Sequence, residues 1–270
     1  MSGPTLSDLL ALVPVQRSIV ALLIASVGLP IVGVLIVGLD VVAVRFAMMH
    51  VALLGIAIGM LVGIEPTLVG LALCALAGAS LAPLAGRPGG LSGPTGFLMT
   101  VAIAGALLVL SVSGVNAVGA FELLWGSLLA TRTQDVVALT VVCIAVVAVY
   151  LARRRPLALL LYDRELALCS GVAVGGLTAV VLVTIAVAIA AAVHLTGALL
   201  VDAVTLLPAL AARNVATSLD SMVRWAVGFG LVGNALGFFL ALLLDLPPGP
   251  VLVLMAGALT LATYFYRRRS

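Results

Sequence analysis

Nine apolar segments, most of about twenty residues, fill this sequence and leave only short polar stretches between them. They run over roughly 18–44, 46–63, 67–86, 94–114, 135–152, 167–194, 197–212, 223–245 and 249–266. A helix needs about 20 apolar residues to cross the hydrocarbon core of a bilayer. A transmembrane barrel would instead show segments of about ten residues with alternating polarity. The pattern therefore predicts an all-α membrane protein with about eight or nine spans.

The composition excludes a soluble globular protein. Apolar residues make up 64% of the 270 residues and charged residues only 9%, whereas a soluble domain carries about 25% charged residues. We expect one transmembrane domain over 1–270, and residues 1–17 of it are predicted to form an amphipathic segment. The first apolar block is longer than the core of a signal peptide, so it is interpreted as a permanent span. The three cysteines are scattered singly in apolar stretches and are predicted to act as small hydrophobic residues.

All thirteen basic residues are arginines, and the chain has no lysine. They form short clusters between apolar blocks, a pattern that indicates cytoplasmic loops rather than a nucleic-acid surface. The clusters place the N-terminus outside the cell and the C-terminus in the cytoplasm, and Arg45 then divides the first two spans. A Walker A motif requires a lysine for the phosphates, so any ATP hydrolysis must come from a partner subunit.

Asp202 is the clearest ionisable residue inside a predicted span. A carboxylate at membrane depth is costly and defaults to a functional hypothesis. It either attracts or binds a cation in a central pathway, or pairs with a polar neighbour or caps a broken helix. Both interpretations remain open from the sequence.

Other candidate metal ligands lie near the ends of spans. Met48, Met49 and His50 combine thioether and imidazole groups, which suit soft or borderline metals, although a lone histidine there also serves as an interfacial hydrogen-bonding group. His194 is interpreted mainly as interfacial. Glu65 is a candidate for collecting cations outside, or a plain interfacial charge.

Three stretches resemble stretches of one family and occur along the chain in the same order as in that family. They are Gly197–Arg224 (GALLVDAVTLLPALAARNVATSLDSMVR), Leu161–Gly171 (LYDRELALCSG) and Leu244–Pro250 (LDLPPGP), and Leu124–Asp135 matches more loosely. They are similar to stretches of the zinc/manganese ABC importer permeases, the ABC-3 family. The first resembles the helix and loop that dock the ATPase.

The resemblance implies a permease similar to those of vitamin B12-type importers, in a prokaryotic inner membrane. It implies a homodimer with two cytoplasmic ATP-binding subunits, an extracytoplasmic binding protein, and a transported zinc- or manganese-class ion with no permanent cofactor. The coupling loop is expected at 213–224, with Ser218 as a helix N-cap. The residues expected to couple to the ATPase are Pro208, Ala209, Ala212, Arg213, Ser218 and Asp220.

The second span departs from the family pattern. Relatives carry Gly-Asp-Ala-Leu-Ser-His-Ala there, with the Asp and His as metal ligands. Aligned on Arg45 and Ala47, this chain has Val51 in place of the Asp and Gly55 in place of the His. A five-residue deletion before His50 restores the His but not the Asp. Other residues then hold the metal, or the substrate is a chelated or organic species, or the chain is a divergent subunit that pairs with a standard one.

Two other classes of protein compete with this interpretation. A secondary transporter driven by an ion gradient would also have many spans and few charges in them, but it would work without an ATPase. An intramembrane enzyme would need paired carboxylates or a His-Glu-x-x-His helix, and the sequence has neither. We therefore expect a transporter subunit and not an enzyme.

Overall fold

A computed structural model of the chain describes residues 12–86, 90–113 and 132–268. Every regular element within these ranges is helical, and a single 3₁₀ turn, Ala82–Leu84, follows the third helix. The helices, in chain order, are α1 (Val13–Gly38), α2 (Val42–Val62), α3 (Pro66–Leu81), α4 (Ser92–Val112), α5 (Thr133–Tyr162), α6 (Arg164–Cys169), α7 (Val174–Val215), α8 (Leu219–Leu243) and α9 (Pro248–Arg267).

Eight helical segments in the described ranges are long and apolar enough to cross a membrane. They comprise α1, α2, α3 with its 3₁₀ turn, α4, α5, the first half of α7, α8 and α9. The predicted all-α, multi-span architecture is therefore confirmed. The tight turns between helices use left-handed backbone at Asp40 and Asp245, with φ of 55° and 51°.

Helix α7 lies at the centre of the bundle, where it packs against α1, α2, α3, α5, α8 and α9. Its contact with α1 is close because Gly33 has no side chain: a Cβ there would lie 1.9 Å from the carbonyl oxygen of Thr205. Small residues allow such approach where no hydrophobic effect drives helices together. In α8, Gly230, Gly233 and Gly237 are buried, whereas Gly228 faces open space.

Gly197 divides α7 into two halves. Its φ of 74° and ψ of 165° are not helical, and glycine adopts such a conformation without steric cost. The second half runs parallel to α9: a Cβ on Gly249 would meet Leu200, and Thr260 donates to the carbonyl of Leu207 at 3.1 Å. The seventh predicted span, 197–212, is thus the second half of this helix.

Three predicted boundaries need correction. The first break between spans falls at 39–41, so Arg45 lies inside α2 and is buried rather than dividing two spans. Helix α5 continues through the arginine cluster 153–155 to Tyr162, because arginine is a good helix former. The segment predicted as a coupling loop is mostly helical, and only 216–218 is not.

The prediction for the cysteines is confirmed in part, and two other predicted segments fall mostly or wholly outside the described ranges. Cys74 and Cys143 are buried as predicted, whereas Cys169 is exposed at the end of α6. Most of the predicted amphipathic segment, and all of the Trp-Gly-Ser-Leu-Leu stretch at 125–129, fall outside the described residues.

Candidate functional site

An ion pair between α2 and α7 lies inside the bundle. Nη1 of Arg45 contacts Oδ1 of Asp202. The side chain of Arg45 is only 1% exposed, and it also stacks on the ring of Phe46 with 4.1 Å between Cζ and the ring centroid. A buried charge without a partner is strongly destabilising, so the pair explains how both residues are accommodated between apolar helices.

Asp202 is the more open member of the pair, with 34% of its side chain exposed. The residues beside it, Val201 and 203–205, are buried. Leu206 and Leu210 are half-buried like Asp202 and follow it at intervals of four, so the three lie on one face of the helix. This partly open stripe leads from Asp202 toward the end of α7.

His50 lies on the same helix as Arg45 and is half-buried. Its Nδ1 donates to the carbonyl of Phe46 at 2.7 Å, since a carbonyl oxygen only accepts. When the ring is neutral, this bond places its proton on Nδ1 and leaves the lone pair on Nε2, which is the form that binds a metal. Met48 and Met49 are both buried in the core, with the carbonyl of Met48 accepting from the Cys74 thiol at 3.4 Å.

Glu65, another predicted metal ligand, does not lie beside this pair. Glu65 is half-buried in the turn between α2 and α3, at the end of α2 away from Arg45, and the side chain of His194 is outside the described residues. Across the described part of the chain, no three His, Cys, Asp or Glu side chains come close enough to hold a metal ion together. Among the described residues, Asp202 and His50 therefore belong to no group of three such ligands.

Helix α8 is capped by Ser218, the last residue of the short link from α7, as the sequence predicts. The hydroxyl of Ser218 accepts from the backbone N–H of Ser221 at 3.2 Å, which satisfies one of the open donors at the start of a helix. Ser218, Asp220 and Arg213 are exposed around the link, whereas Pro208, Ala209 and Ala212 are buried where α7 packs into the bundle.

Two polar contacts fix this region to its neighbours. Tyr150, on α5, donates its hydroxyl to the carboxylate of Asp220 at 2.5 Å. Asn214, at the end of α7, donates its side-chain amide to the hydroxyl of Thr263 on α9 at 3.1 Å. These contacts connect the region of the link to α5 and α9.

The sequence did not single out Tyr150, nor Arg45 as a partner for Asp202. One signal was present for Arg45: it follows Asp40, the residue of the turn, by five positions, so it lies within the first turn of the helix and not between two spans. Tyr150 gave no such signal, because an aromatic residue three positions before an arginine cluster is typical of a membrane interface.

The comparisons with known proteins agree with one another. The profile of the ABC 3 transport family matches residues 13–267. The chain is 25% identical over 230 residues to the high-affinity zinc uptake system membrane protein ZnuB of Haemophilus influenzae, covering 82% of this chain and 85% of ZnuB. It is 30% identical over 145 residues to the manganese import system permease protein ScaB of Streptococcus pneumoniae, covering 54% and 52%. The structure of PsaBC from Streptococcus pneumoniae in complex with Fab is similar with a TM-score of 0.82 at 22% identity, covering 96% and 94%.

Proposed function

We propose that this chain, which belongs to the ABC 3 transport family, imports a divalent transition metal of the zinc or manganese class as the membrane-spanning subunit of an ATP-driven importer. The observation that carries the proposal is the family match, which spans nearly all of the chain. The relatives named for zinc uptake and for manganese import support the class of metal.

ATP hydrolysis is assigned to two partner subunits in the cytoplasm, since the chain has no lysine with which to build a Walker A motif. The exposed residues around the link 216–218, with Arg213, Ser218 and Asp220, form the surface on which the ATPase docks. We place a homodimer in a prokaryotic inner membrane with an extracytoplasmic binding protein, as the family resemblance implies.

The proposed orientation puts the N-terminus outside and the C-terminus in the cytoplasm. The arginines at 153–155 and at 267–268, with the link 216–218, then face the cytoplasm, in agreement with the positive-inside rule. The first half of α7 runs outward, and the chain turns back at Gly197. The parallel run of α9 and the second half of α7 supports this arrangement.

The pathway is assigned to the partly open stripe of α7 that begins at Asp202. A carboxylate is a suitable contact for a dication, and the half-buried leucines that follow it on this face give a cation no competing ligand. Alternation between outward- and inward-facing states requires two conformations whose balance the nucleotide shifts. The Asn214–Thr263 and Tyr150–Asp220 contacts support transmission of that shift from the link to the helices.

A second candidate function is import of a chelated metal or an organic substrate by the same machinery. It is favoured by the broken Asp/His pair of the second span and by the lack of any three-ligand group in the described ranges. Recognition would then be left to the binding protein.

Elemental analysis of metal-starved cells lacking this chain tests the proposal. We expect the content of one transition metal to fall and wild-type chain to restore it. A strain whose partner ATPase lacks its Walker A lysine serves as the control, and uptake that persists there would indicate a gradient-driven transporter. Unchanged metals in the deletion strain would favour the chelated or organic substrate.

A further inference from the structure

The two members of the Arg45–Asp202 pair are not equally open to a substrate. The arginine side chain is 1% exposed and the aspartate side chain 34%. A solute that moves along the open stripe of α7 therefore meets the carboxylate and not the guanidinium. This asymmetry favours contact with a cation at the pair over contact with an anion.

The positive charge of Arg45 is permanent, because a guanidinium is not deprotonated in proteins. It needs a counter-charge inside the bundle, and Asp202 is the acid placed against it. Within the described part of the chain, Nε of Arg45 has no hydrogen-bond partner, and Nη1 is the atom that contacts the carboxylate. The guanidinium is held at this position by the ion pair and by its stacking on the ring of Phe46.

We infer that Arg45 is a tethered counter-cation that occupies the Asp202 carboxylate in this state, and that a metal dication binds Asp202 only after Arg45 withdraws. The inference rests on the proposed function, since it takes a dication as the cargo. While the pair is closed, its charges cancel and the carboxylate does not retain metal. A shift between α2 and α7 exposes the full charge of Asp202.

The position of Asp202 connects this exchange to the ATPase. The half of α7 that carries Asp202 ends at Val215, directly before the link 216–218. A displacement of that link moves the carboxylate relative to Arg45, which is fixed on α2. The pair is thus a gate whose state follows the docked subunits.

Binding of Mn²⁺ to the purified full-length protein in lipid nanodiscs tests the inference. Free Mn²⁺ is counted from its electron paramagnetic resonance signal during titration. We expect Arg45→Gln to bind Mn²⁺ at least about tenfold more tightly than wild type, because a positive charge in contact with the ligand oxygen is removed. Arg45→Lys keeps the charge and is expected to match wild type.

The gain must depend on the carboxylate. Combining Arg45→Gln with Asp202→Asn is expected to abolish it. Wild-type affinity in folded Arg45→Gln protein, or a gain that persists in the double variant, would overturn the inference.

The charge-swapped protein, Arg45→Asp with Asp202→Arg, distinguishes this role from that of a purely structural ion pair. Because both charges are kept, the variant does not have to fold around an unpaired charge. It keeps the pair but buries the carboxylate and exposes the guanidinium. We expect this variant to fold, as judged by its elution volume and thermal unfolding. We also expect it to lose metal uptake in cells. Normal metal uptake by this variant would contradict the inference.

Failure of the inference is distinguishable from failure of the proposed function, because Mn²⁺ binding is measured without ATPase or transport. A tenfold gain in Arg45→Gln with unchanged metals in deletion cells would show that Arg45 shields Asp202 from a dication but would reject a metal as the cargo. The reverse result would retain metal import and reject the gate.

Discussion

Tyr150 and Asp220 join α5 to α8, since the hydroxyl of Tyr150 donates to the carboxylate of Asp220 in the first turn of α8. Tyr150 is 6% exposed and lies on α5, one turn before the arginine cluster at 153–155. The contact fixes the start of α8 to a helix that takes no part in the link itself. In the proposed function, it is therefore suited to carry movement from the ATPase into the bundle.

Replacement of Tyr150 by Phe removes this bond and preserves the ring. A hydrogen bond to a charged group contributes about 1.5–3 kcal/mol, but Asp220 is exposed and water partly replaces the lost donor. We expect destabilisation of about 1 kcal/mol and a larger effect on ATPase activity stimulated by the binding protein, which should fall several-fold. Both are measured on the reconstituted complex.

Tyr162→Phe is the matched control, because Tyr162 ends the same helix and is 84% exposed. It undergoes the same chemical change and should behave as wild type. Equal ATPase activity in Tyr150→Phe and Tyr162→Phe would show that the Tyr150–Asp220 contact does not transmit movement.

Cys169 provides a test of the proposed orientation. It is exposed at the end of α6, whereas Cys74 and Cys143 are buried. An exposed thiol reacts through its thiolate with a maleimide. We expect a membrane-impermeant maleimide to label the wild-type chain in inside-out vesicles but not in intact cells.

Cys169→Ser should abolish this labelling, which identifies the reacting thiol. Labelling of Cys169 from outside the cell would reverse the orientation of α6. The link 216–218 would then need a separate test of its side.

The spans were predictable because the bilayer imposes length and apolarity on each helix independently of its neighbours. Helices α8 and α9 begin and end within a few residues of their predicted bounds. The errors fall where tertiary contacts override that signal. Arg45 was expected at a membrane boundary, because a sequence cannot show that Asp202 lies opposite it and neutralises it.

The candidate site was predictable only in its components. A carboxylate inside an apolar run marks Asp202 from the sequence, but its exposure depends on how α7 turns at Gly197 and packs on α1. Met48 and Met49 have suitable side chains and are buried by the packing of α2 against its neighbours. Which face of a helix is open is a property of the bundle and not of the helix.

Gly33 is predicted to tolerate no side chain. A Cβ at this position would lie 1.9 Å from the carbonyl oxygen of Thr205 and 3.0 Å from the Cβ of Ala209. Backbone must move to relieve the clash, so Gly33→Ala should destabilise the protein by about 1–3 kcal/mol and separate α1 from α7. The thermal unfolding midpoint of the purified protein measures the effect.

Gly257→Ala is the control for the same change in α9. No atom lies within 4 Å of a Cβ there, and alanine is the better helix former by about 1 kcal/mol. We expect it to unfold at or above the wild-type midpoint. If the two alanine variants unfold alike, the close α1–α7 contact is not required for stability.

Ser26 and Asn234 form a buried polar contact between α1 and α8. The side-chain amide of Asn234 donates to the hydroxyl of Ser26 at 2.7 Å, and that hydroxyl donates to the carbonyl of Leu22 at 2.6 Å. Ser26→Ala leaves the Asn234 amide without its acceptor. Leaving a buried donor unsatisfied costs about 1–3 kcal/mol, and we expect a loss of stability in that range by thermal unfolding.

The double variant, Ser26→Ala with Asn234→Leu, removes both partners of this bond. Replacing both partners by apolar groups is often nearly neutral, so the double variant should recover most of the stability that Ser26→Ala loses. The coupling between the two changes, measured as a double-mutant cycle, isolates the pair from its surroundings. Additive losses would mean that the two side chains stabilise the bundle separately, and that the α1–α8 contact depends on Gly230 and the apolar packing around it.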